Sequence, residues 1–297
     1  MTLLTRNCSP AVAGAALMVL AGAVFAVINT LVQRAVMIEN ASPTSVAFWQ
    51  YAIALCVMLP SVIDNGKSPL HTAVPGLHVL RVALAAGGVQ LWVFGLAYVP
   101  IWQAIALVML SPFFVTLGAG LILRESVSLR RWIAVSIGFA GGMIILAPWS
   151  DAFTVQALLP VGAAAFWAAS SLLTKRMTET ESPETLTVYL LLLLTPVNAG
   201  LALGDGLHID ISSLGTLIIA IGLLTALAQY ALVSSYRIAD ASFLQPFDHV
   251  KLPFNVGLGA LVFGFIPPGA MWLGSLMIIG GSLHLVWTEK DEVRIRT

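Results

Sequence analysis

Glu39-Asn40-Ala41-Ser42-Pro43 returns 140 positions later as Glu179-Thr180-Glu181-Ser182-Pro183. Working outward from that pair, Phe25, Asn29 and Arg34 are echoed by Phe166, Ser170 and Lys175, each 141 positions on. Trp132 and Gly141 match Trp272 and Gly281 at a shift of 140, and Pro112 matches Pro253 at 141. A fixed internal period means that one structural unit is built twice. Each copy holds five long apolar segments. A chain that crosses a membrane at every segment therefore presents its second copy upside down. The expected units are residues 1–150 and 151–297.

Apolar residues make up 59% of the 297 positions and charged residues only 9%, with a mean hydropathy of +0.94. A soluble domain carries roughly a quarter charged residues, so this chain belongs in lipid. Its zero formal charge gives no reason to expect a nucleic-acid partner. Cys8 and Cys56 lie in the N-terminal tail and in an apolar segment, without metal-ligand neighbours. Neither a disulfide framework nor a metal is expected. Arg6 followed by the apolar run from Ala11 to Ile28 imitates a signal peptide. The run is too long for an h-region and has an internal repeat partner near Phe166, so it is read as a mature helix.

At about 20 residues per span, helices are expected over 11–34, 44–62, 76–98, 101–123, 129–147, 155–176, 184–203, 213–236, 241–264 and 267–287. Ser42-Pro43 and Ser182-Pro183 read as helix starts, where proline's missing N–H costs little. Asp64-Asn65-Gly66, Asp205-Gly206 and Pro267-Pro268 read as turns. With the N-terminus inside, twelve lysines and arginines fall in cytoplasmic segments and one, Arg34, falls outside. That asymmetry sets the orientation. Arg124, Arg130 and Arg131 become Gly264, Ala270 and Met271 in the second copy, as an inverted loop requires. The expected fold is an all-α protein of the bacterial-type inner membrane, with ten transmembrane helices in two inverted five-helix repeats and both termini cytoplasmic. Inverted repeats of this kind build secondary transporters.

The chain resembles the drug/metabolite transporter superfamily, in particular its EamA-type members. The matching stretches run from Ala97-Tyr98 through Leu123-Arg124-Glu125 to the Gly138–Gly142 helix, and from Tyr236-Arg237-Ile238-Ala239 through Gly264 to Gly280-Gly281. The resemblance implies export or exchange of small metabolites without ATP, among them amino acids, nucleosides and related amphipaths. Members commonly end the fourth helix of each repeat with a glutamate. Glu125 fits, but its counterpart here is Phe265, so Glu125 is read as a loop charge beside Arg124.

Ionisable groups inside a bilayer are costly and mark transport pathways. They gather in one expected helix: Gln245, Asp248, Lys251 and Asn255 fall within an arc of about 120° at helical spacing. Asp248 and Lys251, three apart, can pair on one face. Two readings stand side by side. One is an ion pair that only locks the helix against its neighbours. The other is a water-filled cavity that presents both signs to a zwitterion and, because burial disfavours either charge, offers a route to proton coupling. His249, at the edge of the arc, serves equally as a packing donor or a proton carrier. Pro112 and Pro253, at equivalent places in the two copies, and Pro246 are expected to kink their helices and free backbone carbonyls.

Weaker polar faces add Asn29, Ser171 and Gln229. Trp92, Trp167, Gln90 and Trp102 are aromatic and polar cavity candidates; for Trp102 an interfacial aromatic belt is the competing reading. Gly138, Gly141, Gly142, Gly280 and Gly281 suit close helix packing or a weak dimer contact. No HExxH pair, Walker loop or CxxC occurs, so no catalytic residue and no cofactor are expected, and an intramembrane enzyme is the distant alternative. The expected activity is alternating-access movement of a small polar metabolite, amino acids or other zwitterions favoured, in the direction of export. Uptake or exchange of a nucleotide-like metabolite is the alternative, and a monomer or weak homodimer is expected.

Overall fold

Ser182 shows how the repeated motif starts a helix. Its backbone is extended (φ −75°, ψ 154°), its hydroxyl accepts the Thr185 N–H at 3.1 Å, and Pro183 takes the first helical position. One otherwise orphaned N–H is thereby satisfied and none is lost to proline. The computed structural model describes residues 10–63, 72–98, 107–108, 110–146, 155–205 and 211–264, with 272–274, 276–277 and 279–281. Among them there is no strand.

The helices are α1 (Pro10–Met37), α2 (Pro43–Ile63), α3 (Pro75–Tyr98), α4 (Ser111–Leu121), α5 (Leu129–Leu146), α6 (Leu158–Met177), α7 (Pro183–Ala202), α8 (Ile211–Ile238), α9 (Ala241–Asp248) and α10 (Lys251–Phe263). Helical residues recur between 272 and 281. Stretches of α1, α6, α7 and α8 are long and apolar enough to cross a membrane, and α2, α3 and α4 contain shorter apolar runs. Seven of the ten expected spans match these helices to within three residues, and the one expected over 267–287 lies largely outside the described residues. Two differ. The span expected over 241–264 is broken into α9 and α10, and the one expected over 101–123 is described as a continuous helix only from Ser111. The turns expected at Asp64-Asn65-Gly66 and Pro267-Pro268 lie outside the described residues.

The packing crosses from one half of the chain to the other. α1 runs along α8 and α3 runs along α6; α4 touches α6 and α10 touches α1. Exchanging the halves by the sequence repeat turns the first pair into the second and the third into the fourth. Small residues permit the close approaches. A Cβ at Gly22 of α1 would lie 3.3 Å from Cβ of Lys251, and one at Gly14 would lie 2.6 Å from that of Ala239. The main apolar core also draws on both halves, with Met18, Val115, Leu172, Tyr236, Phe243, Leu244 and Phe247 among its buried members.

Candidate functional site

The break between α9 and α10 has a local cause. Pro253 has no N–H to offer the His249 carbonyl four residues back, and its ring crowds that oxygen. The carbonyl accepts the Leu252 N–H instead, at 3.0 Å, and the Val250 N–H reaches the Phe247 carbonyl at 3.2 Å. His249 and Val250 thus form a turn between two helices. Pro253 sits in the first turn of α10, and Pro112 likewise sits at the start of α4, after the turn residue Leu110. Both prolines thus sit in the first turn of a described helix at repeat-equivalent places, and His249 and Val250 keep right-handed helical backbone angles between α9 and α10. Pro246 lies inside α9 without ending it.

Asp248 closes α9 and Lys251 opens α10. Nζ of Lys251 donates to Oδ2 of Asp248 at 2.7 Å, with the two side chains 28% and 21% exposed respectively. A carboxylate at a helix C-terminus and an ammonium at a helix N-terminus each meet the unfavourable end of the helix dipole. Neither charge is stabilised by its own helix, so each depends on the other and on whatever enters beside them.

Asn255, one turn on, donates Nδ2 to the Lys251 carbonyl at 2.7 Å and accepts from Nδ2 of Asn29 on α1 at 3.1 Å. Gln245, one turn before Asp248, is buried and donates to the Ala241 carbonyl at 2.7 Å. The phenol of Tyr236 lies beside Ser171 and Gln245, near the Asp248 carboxylate. Ser171 is one helical turn from Trp167, whose ring centroid is 6.1 Å from that of Trp92, the planes at 48°. Trp167 packs so closely on α3 that a Cβ at Gly88 would be 2.6 Å from its ring. Asn29, Asn255, Lys251, Asp248, Gln245 and Ser171 therefore belong to one strip that Tyr236 links to an aromatic pair.

His249 falls off this strip. It is fully buried against Gly138 of α5, with Nδ1 3.1 Å from the Gln245 carbonyl and, among the described residues, no partner for Nε2. Gln229 is half-buried on α8 and makes no side-chain hydrogen bond among the described residues. The Gln90 side chain and Trp102 lie outside the described residues. A surface groove of about 290 Å³ lined by Arg34, Glu39, Thr216, Leu217 and Ala220 involves none of the selected residues. Among the described residues no group of three His, Cys, Asp or Glu side chains could hold a metal ion.

Glu125 is more than a loop charge, which corrects the sequence reading. Its carboxylate accepts the N–H groups of Ala241 and Ser242 at 3.0 and 3.1 Å and the Ser242 hydroxyl at 2.9 Å. Those N–H groups belong to the first turn of α9, which has no intrahelical partner for them. Asp240 occupies the N-cap position without a side-chain cap bond; its carboxylate is held by Arg131 at 3.0 Å. Glu125, 116 residues away in sequence, supplies the missing cap.

An all-helical architecture with several helices apolar enough to cross a membrane, and polar groups gathered where α9 meets α10, fits a membrane carrier. The chain belongs to the EamA-like transporter family, whose model matches residues 13–147 and again 155–287. It lies in the drug/metabolite transporter superfamily. It is 52% identical over 286 residues to a riboflavin transporter of Vibrio cholerae, covering 95% of this chain and 96% of that one. It is 50% identical over 286 residues to a riboflavin transporter of Rhizobium johnstonii, covering 96% and 95% respectively. A solved crystal structure with 16% identity shares the fold at a TM-score of 0.75, covering 97% of this chain and 99% of its own. The protein is thus a multi-pass membrane protein that transports small metabolites.

Proposed function

We propose that the protein carries riboflavin across the bacterial inner membrane by alternating access. The observation that carries this reading is half-identity over nearly the whole chain to two riboflavin transporters. The site chemistry supports it. Isoalloxazine is a flat, polarisable ring system with a polar pyrimidine edge, and it bears a ribityl chain of hydroxyls. Aromatic side chains are suited to the ring by stacking, and Trp92 with Trp167 offers such a pair. Asp248, Lys251, Gln245 and Asn255, with Asn29, Ser171 and Tyr236, offer donors and acceptors for the edge and the chain. A mutually satisfied Asp248–Lys251 pair suits a neutral polyol better than the amino acid expected from the two charges alone.

The same reading takes the chain as two inverted five-helix repeats, residues 1–150 and 151–297, with ten spans and both termini cytoplasmic. The basic-residue partition, the double family match and the exchange of packing partners between halves support it. Without a nucleotide-binding motif, net flux follows the substrate or ion gradient, so inward and outward movement are one cycle run in opposite senses. The test is riboflavin uptake and efflux by the purified chain in proteoliposomes, with Asp248→Asn/Lys251→Met as the control for the site. Retention of full transport by a folded double variant would remove these residues from the pathway.

A further inference from the structure

Glu125 and Arg131 tie the α4–α5 connection to the start of α9 through one compact set of bonds. Glu125 holds two backbone N–H groups and the Ser242 hydroxyl. Arg131 reaches Oδ2 of Asp240 at 3.0 Å and Oγ of Ser242 at 3.1 Å, and its guanidinium lies 5.7 Å from the Phe243 ring centroid. Lys175 of α6 holds the other side of the same elbow, donating to the Tyr236 and Ala239 carbonyls at 2.8 and 2.7 Å. Beneath these polar contacts Phe243, Leu244 and Phe247 fill the core. Burial changes along the broken span. Residues 241 to 247 are all buried, whereas most of α10 is partly or fully exposed. The Asp248–Lys251 break is therefore sealed in protein on the Glu125 side, while the exposed side chains of α10, Phe254, Leu261 and Val262 among them, are apolar ones of a membrane-spanning segment.

The clamp is asymmetric in sequence. The repeat places Phe265 where Glu125 stands, and Gly264, Ala270 and Met271 where the three arginines stand. At the repeat-equivalent positions the sequence therefore offers neither this carboxylate nor these guanidinium groups. A charge-assisted cap supplied by residues that only one copy carries biases two related states unequally. Building on the carrier reading above, we infer that Glu125 is a positioning residue for transport: its carboxylate latches the N-terminus of α9, and releasing it opens the path to Asp248 and Lys251 from that end. Arg131 is its partner in the latch, held to Asp240 and Ser242.

Two cysteine probes in a protein lacking Cys8 and Cys56 test this without any substrate. Leu244→Cys reports the sealed side and Asn255→Cys, on the polar strip of α10, the other end. Adding Glu125→Ala is expected to speed labelling at position 244 by a water-soluble thiol reagent about tenfold and to slow labelling at 255, the reciprocal change of a two-state shift. Glu125→Gln, which keeps an acceptor but not the charge, should fall between. A rise at 244 with no fall at 255 would make Glu125 a local cap and overturn the proposal, as would unchanged rates in a folded variant. Bridging Glu125→Cys to Ser242→Cys with a short reversible bis-thiosulfonate should stop riboflavin counterflow until reduction; full counterflow by the bridged protein would equally overturn it. If the parent protein moves no riboflavin, the reading of the substrate falls while the labelling rates still decide the latch.

Discussion

Nζ of Lys251 lies 2.7 Å from Oδ2 of Asp248 across a helix break, and each charge faces the unfavourable end of its own helix. Removing one partner leaves the other charge against an opposing dipole. Asp248→Asn and Lys251→Met are each expected to cost about 1–3 kcal/mol, between the values for exposed and fully buried pairs. The double variant should regain most of that stability and still fail to transport. Thermal unfolding in detergent and transport assays, run on the three variants together, separate scaffold from site.

Proton coupling gives the same carboxylate a distinct signature. If Asp248 exchanges a proton during the cycle, Asp248→Asn abolishes transport driven by a pH gradient and keeps riboflavin counterflow. Equal loss of both would assign Asp248 to binding rather than to coupling.

The aromatic pair is expected to set affinity. Trp167→Ala should weaken riboflavin binding by about tenfold, the scale of one lost aromatic contact, while Trp167→Phe should retain most of it. Riboflavin fluorescence, quenched by stacking on indole, reads this directly. Undiminished quenching in Trp92→Ala/Trp167→Ala would place the ring elsewhere.

Gly88 holds Trp167 in place by its lack of a side chain. A Cβ there would stand 2.6 Å from the indole, so Gly88→Ala should raise the riboflavin KM by displacing the ring and lower thermal stability through overpacking. At Gly257 an added Cβ would meet nothing within 4 Å, so alanine there should have neither effect.

Orientation is open to the same chemistry. A single cysteine at Glu39 should react with an impermeant thiol reagent added outside cells. One at Ser128 should react only after permeabilisation. Reversed labelling would invert the assignment of every loop.

What is legible in the sequence depends on the range of each interaction. Helix positions follow from apolar run length and from Ser-Pro starts such as Ser182-Pro183, which are local signals. The break at His249–Val250 falls where Pro253 leads the sequence reading to expect a kink, but a proline announces a lost bond without saying whether the helix bends or restarts. Glu125 looks like a loop charge because its partners are 116 and 117 residues away. Tyr236 enters the sequence reading only through its place in a family-like stretch; the signal that could raise it is a phenol one residue before Arg237, within a helix otherwise rich in apolar residues. Asp248, Lys251, Gln245 and Asn255 are legible as one polar arc. Three of the four remain joined by hydrogen bonds or by the ion pair across the break, directly or through the Lys251 backbone.

Riboflavin movement by the purified chain in sealed proteoliposomes tests the central claim most directly. The expected result is saturable riboflavin counterflow that unlabelled riboflavin competes away, that a panel of amino acids leaves unaffected, and that Asp248→Asn/Lys251→Met abolishes in a folded protein. Absence of riboflavin counterflow from folded, correctly inserted protein, or competition by amino acids instead, would contradict it.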